Sequence, residues 1–224
     1  LAMEYVPGRT LRDILKEYGP LPPEQALVIL DPGLEALGAA HAAGFLQRGI
    51  KPENVLLTYE GHVKVADFGL ARAMEPGEHS VTQGMIIGTV AYLSPEQVER
   101  GEADGRSDLY AAGILLFEMI TGQVPHAGES PLSVAYQHVN TDVPPPSSIR
   151  PGIPAEVDAL VVTATRRDAA VRYQSAMDFL ADTRRVRALL PPPRPFGDAR
   201  DTLVVDMAAQ ADLAAGRRSE EHTS

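Results

Sequence analysis

Between Leu109 and Thr121 the chain reads apolar nearly all round, with Ile114, Leu115, Leu116, Phe117, Met119 and Ile120 alongside alanine and glycine, and it stops at Gly122. A helix with no polar stripe has to be wrapped by protein or by lipid, and this one is too short to cross a bilayer comfortably. It therefore predicts a helical body built around one central buried helix, led in by Ser107 and Asp108. Asp108 is expected to satisfy orphan donors at the start of that helix. The chain has 224 residues, 44% of them hydrophobic, enough for one sizeable core. Its formal charge of −10 argues against general nucleic-acid binding. With no Cys there is no disulfide framework or thiolate metal site. Neither a signal peptide nor an apolar run of spanning length is present.

Upstream, Thr10 is placed to cap a short helix beginning at Leu11 and ending near Gly19 and Pro20. It follows a strand-like run from Leu1 to Val6 and a turn at Pro7-Gly8. Helical spacing then runs from Pro22 to Ala43, with a kink expected at Pro32, which removes a donor and crowds the preceding turn. His41 falls on the apolar side of that helix and reads as a packed structural histidine. Downstream, short helices are expected over residues 131–139, 155–166 and 174–190, joined by a Pro- and Ser-rich loop and a turn at Arg167 to Tyr173.

The densest chemistry lies from His41 to Gly69. Lys51-Pro52-Glu53-Asn54 is followed by two apolar runs, Val55 to Leu57 and Val63 to Val65, turning at Tyr59, Glu60 and Gly61, and then by Asp67-Phe68-Gly69. An Asn and an Asp brought together by a short hairpin can hold a magnesium ion against nucleotide phosphates while a nearby Lys offsets charge. This layout resembles the catalytic and metal-binding loops of serine/threonine protein kinases. Gly88-Thr89 and Ser94-Pro95-Glu96 resemble the end of that family's activation segment, and Asp108 with its buried helix and Arg172 match further positions.

The resemblance covers roughly residues 1 to 190 and implies a mainly α fold, the C-terminal lobe of the α+β protein kinase fold. A helical bundle would surround a buried central helix, with a small β-hairpin at the catalytic loop. Residues 1–190 would form that large lobe with its hinge, the small lobe lying upstream of the sequence. Residues 191–224 would be a Pro- and Ala-rich linker. Its last seven residues, 218–224, resemble a translated sequencing-library adapter, the alternative being a native disordered tail.

The same resemblance assigns Lys51 to the phosphate, Asn54 and Asp67 to Mg²⁺, and Thr89 to the catalytic group. Met3, Glu4, Val6 and Leu56 would contact the nucleotide, ATP. Arg48, Glu96, Asp108 and Arg172 would be supports, with Arg172 the buried partner of Glu96 and Asp108 gripping the backbone of the catalytic loop. Ser80 and Thr82 would be phosphorylation sites received by Arg48, or else part of an unmodified loop. One role is empty: the family's His-Arg-Asp stands here as Gln47-Arg48-Gly49, so glycine occupies the position of the proton-accepting Asp.

The implied activity is transfer of the ATP γ-phosphate to Ser or Thr of protein substrates, with no nucleic-acid partner. As written, the chain is expected to be inactive or nearly so, lacking the small lobe and the acid at Gly49. Two readings follow. One is an enzyme of this family in which Gln47 and Gly49 are sequence errors or local decay. The other is a pseudokinase lobe that binds or scaffolds. Leu93 to Gln97 and Ala135 to His138 are similar to bacterial sensor kinases whose cytoplasmic kinase domain precedes a membrane helix, which implies a membrane-anchored whole.

Overall fold

The computed structural model describes residues 7–47, 49–65 and 90–193. Seven α-helices and three short strands account for most of them. The first strand, β1 (Gly8–Thr10), runs into α1 (Leu11–Tyr18). Thr10 and Asp13 form a reciprocal capping box, and Gly19 closes the helix at φ 73°. Next come α2 (Pro23–Ala42) and the hairpin of β2 (Val55–Thr58) and β3 (Val63–Val65). The remaining helices are α3 (Pro95–Arg100), α4 (Gly105–Thr121), α5 (Pro131–Asn140), α6 (Ala155–Ala164) and α7 (Ala176–Arg187).

The core is organised by α4, in which every residue from Ser107 to Ile120 is buried. It packs against α2 on one side and α6 on another, while α2 lies against α7. Tyr110, Phe117, Ile114 and Leu116 have no exposed surface. Burying each such side chain contributes about 1.5–3 kcal/mol. At Gly113 the neighbouring helix comes so close that a Cβ would sit 2.8 Å from the Ala164 methyl. Asp31, buried in α2, receives Arg184 and Arg187 of α7, each at 2.7 Å, so an ionic clasp reinforces the α2–α7 contact.

The strands form one antiparallel sheet in the order β1-β2-β3, with Arg9 opposite Leu57 and Leu57 opposite Val63. Gly61 makes the hairpin turn at φ 85°. Gly8 is required for the β1 pairing: a Cβ there would lie 2.3 Å from the Leu57 carbonyl oxygen and 2.9 Å from Thr58 Cα.

Two local expectations differ from the structure, and one helix was not expected. Gly8 belongs to a strand rather than a turn, because β2 offers it a pairing edge that only a residue without a side chain can approach. The helix expected through Pro32 forms as one element to Ala42. The central helix begins at Gly105, with Asp104 as its cap: Asp104 accepts from the Arg106 N–H at 2.7 Å, which releases Asp108 for another task. A helix also forms at Pro95–Arg100, with Ser94 and Gln97 capping each other. The strand expected over residues 1–6 lies outside the described residues.

Candidate active site

The site is assembled on main-chain atoms. Buried Asp108 stands one turn into α4, and its Oδ2 accepts the backbone N–H of Gln47 at 2.8 Å. The same oxygen lies 2.8 Å from His41 Nε2, near the end of α2. A single carboxylate oxygen thus ties the loop to two helices. His41 is structural, but through a polar contact rather than apolar packing.

Beyond Gln47 the chain turns at Gly49 and enters a 3-10 turn over Pro52–Asn54 that delivers it into β2. Asn54 Nδ2 donates to the Gly49 carbonyl at 2.7 Å and closes the loop on itself. With Nδ2 committed, the amide oxygen Oδ1 is the atom left to take a cation, as a hard oxygen ligand would. Lys51, between them and half-buried, has no carboxylate partner within ion-pair distance among the described residues. Leu56 is half-buried on β2 opposite Thr10 and Lys64.

Gly49 lacks the backbone geometry that demands glycine, for it is not among the positive-φ residues. Among the described residues, a Cβ built there meets only Asn54 Nδ2, at 3.0 Å, a side-chain atom that would have to give by a few tenths of an ångström while keeping its bond to the Gly49 carbonyl. A side chain at 49 is therefore compatible with this loop.

A second assembly stands behind the first. Arg172, with a fully buried side chain, makes a two-pronged bond to Glu96, Nη1 to Oε1 and Nη2 to Oε2, both at 2.8 Å. Its other donors go to the carbonyls of Arg166, Arg167 and Arg106, and its guanidinium lies 4.9 Å from the Tyr110 ring centroid. Ser107 donates to Glu96 at 2.7 Å. Burial opposes ionisation of Glu96, but the hydrogen bonds from Arg172 and Ser107 outweigh it and hold the carboxyl at about 2.

A third group went unread in the sequence. Arg12 of α1 donates to Glu53 at 2.7 Å, to Glu118 of α4 at 2.6 Å and to the Tyr92 hydroxyl at 3.0 Å, and Tyr92 also donates to Glu118. The signal was present, since Glu118 is the one acid in the apolar run from Leu109 to Thr121, and a buried acid requires a cation or donors. Met3, Glu4, Val6, Arg48, Asp67, Ser80, Thr82 and Thr89 lie outside the described residues. Among the described residues no three His, Asp or Glu side chains cluster as a metal site would require.

A helical lobe around a buried helix, carrying a Lys-Pro-Glu-Asn turn beside a two-stranded hairpin, is the architecture of the large lobe of a protein kinase. The protein kinase domain model matches residues 1–182, and the chain belongs to that family. Its relatives are bacterial enzymes of the eukaryote-like serine/threonine type. The chain is 47% identical over 193 residues to the serine/threonine-protein kinase PknL of Mycobacterium tuberculosis, covering 86% of this chain and 48% of the relative. It is 43% identical over 212 residues to PknB of the same species, covering 93% and 34%, and 44% identical over 195 residues to PknB of Mycobacterium leprae, covering 87% and 31%. The chain thus spans about half or less of the length of these relatives.

Proposed function

We propose that this chain is the large lobe of an ATP-dependent kinase that transfers the γ-phosphate to Ser or Thr of protein substrates. The observation that carries the reading is the Asn54–Gly49 clamp, which presents Oδ1 of Asn54 and the ammonium of Lys51 from one short turn. Asn54 and Asp67 would hold Mg²⁺, which would neutralise charge on the phosphates of ATP, and Lys51 would contact the moving phosphoryl group. Met3, Glu4, Val6 and Leu56 would face the nucleotide, and Thr89 would stand near the acceptor hydroxyl. Glu96, Asp108 and Arg172 hold the loop and the segment end in place, and Arg48 would receive a phosphate on Ser80 or Thr82.

With Gly49 where an acid would accept the hydroxyl proton, transfer by this chain should be slower by about 10²- to 10⁴-fold than with an acid present. A specific observation also favours a pseudokinase acting as a binding or scaffold module: the loop is held through the Gln47 N–H and the Gly49 carbonyl, so its shape persists without the acid.

The test is a transfer assay on the product of the longest open reading frame through this sequence, with ATP, magnesium and a generic protein substrate. Near-background transfer is expected from the unaltered protein. Gly49→Asp should raise it by about 10²- to 10⁴-fold. Asp67→Ala added to Gly49→Asp should abolish it. Robust transfer by the unaltered protein, above its own Asp67→Ala control, would overturn the role given to position 49. If Gly49→Asp stays silent while Mg²⁺ and ATP still bind, the scaffold reading takes over.

A further inference from the structure

Helix α5 buries two residues four apart on one face, Val134 and His138. Packing alone would be served by leucine or phenylalanine at either place, whereas a buried imidazole carries a desolvation cost unless its nitrogens are met. His138 Nδ1 lies 2.8 Å from the Tyr110 hydroxyl of the central helix, with the two rings edge to face. Burial keeps the Tyr110 phenol protonated and His138 neutral, so the hydroxyl donates to Nδ1 and the imidazole proton sits on Nε2. Nε2 is buried and makes no hydrogen bond of full geometry among the described residues, but the main chain of Val90 and Ala91 faces the ring and supplies carbonyl dipoles for its N–H. The His126 ring packs against it edge to face, with centroids 4.8 Å apart. Tyr110 also lies under the Arg172 guanidinium that binds Glu96. One tyrosine is thus a common post for both ends of the stretch from Val90 to Glu96, the first end through His138 and the second through Arg172.

We propose that His138 is a positioning residue: it fixes the main chain at Val90 and Ala91 against Tyr110 and so sets the surface on which a polypeptide substrate docks. The proposal rests on the kinase reading, which places this stretch at the substrate-docking end of the activation segment. The Val90 carbonyl also accepts the Leu93 N–H at 3.2 Å, so a shift of Val90 is carried into the turn that leads to Ser94 and α3.

The test uses the product of the longest open reading frame through this sequence and reads amide exchange together with the binding of dephosphorylated casein, without nucleotide. His138→Phe keeps a ring of similar shape and removes both nitrogens. Exchange at the Leu93 amide should then rise about five- to tenfold, the worth of one hydrogen bond, and casein affinity should fall by a similar factor. Exchange within α6 should stay as it was. His138→Gln, which returns an N–H donor toward Val90 and Ala91, should recover part of both losses. Tyr110→Phe removes only the hydroxyl and should loosen Leu93 in the same way, which keeps the proposal open to test should His138→Phe fail to fold. A merely structural His138 would loosen α6 together with Leu93, and the glutamine would rescue nothing. Unchanged Leu93 exchange, casein affinity indifferent to a loosened Leu93, or a loss shared equally by α6 overturns the proposal. Casein that fails to bind the unaltered protein tells against the docking reading alone, and Leu93 exchange still decides whether His138 holds the segment.

Discussion

The pair of Glu96 and Arg172 shows how a buried charge is made tolerable. Arg172 directs its donors at a carboxylate and three carbonyls, so that no N–H is stranded by its complete burial. Removing one partner strands the other. Arg172→Ala or Glu96→Ala should each cost about 3–5 kcal/mol in urea unfolding, while a surface pair such as Arg185 with Asp182 should cost less than about 1 kcal/mol. Gly49 is the opposite case. Because among the described residues only the Asn54 amide tip stands near its absent Cβ, Gly49→Asp should shift the unfolding free energy by less than about 1 kcal/mol, whatever it does to the chemistry. A collapse of the thermal midpoint in that variant would show that the loop needs glycine after all.

At the scale of elements, the join between β1 and the hairpin depends on an approach that only glycine permits. Gly8→Val should push β1 off β2 and destabilise by about 1–3 kcal/mol, with amide exchange rising at Arg9 and Leu57 before the helices respond. Much at this level was legible in the sequence. The Thr10 cap, the hairpin and the apolar helix each carry a local signal of capping chemistry or periodicity, and each forms. What escaped was settled between elements. Gly8 reads as a turn until β2 stands beside it, and the cap role expected of Asp108 falls to Asp104, while its grip on the loop backbone, expected from the family resemblance, is made to the Gln47 N–H. Arg12 looks like any surface arginine of an amphipathic helix. Its partners lie 41, 80 and 106 residues away, beyond the range of any local pattern.

For the molecule as a whole, the buried titratable groups predict acid lability in two stages. His138 of α5, bonded to the Tyr110 hydroxyl at 2.8 Å, is pushed down to about 3 by burial and by neighbouring His126. A group whose folded pKa lies below its ordinary 6.5 stabilises fully above that value, and the contribution is lost as pH falls from about 6.5 toward 3. Glu96, held at about 2 against an ordinary 4.5, adds a second loss between about pH 4.5 and 2. The unfolding free energy should therefore begin to decline below about pH 6.5, by on the order of 1 kcal/mol per pH unit. His138→Gln should flatten that first stage and leave the second in place. Equal slopes in both proteins between pH 6 and 5 would rule the histidine out as its source.

The grip of Asp108 on the Gln47 N–H has a consequence for how such a protein can drift. Every residue but proline offers the same N–H at position 47, and every residue offers the same carbonyl at position 49 to Asn54. At both positions the hold is on main-chain atoms, although the residue at 47 is itself buried. A change of side chain that the surroundings accommodate can therefore alter the chemistry one codon at a time while these two hydrogen bonds stay as they were.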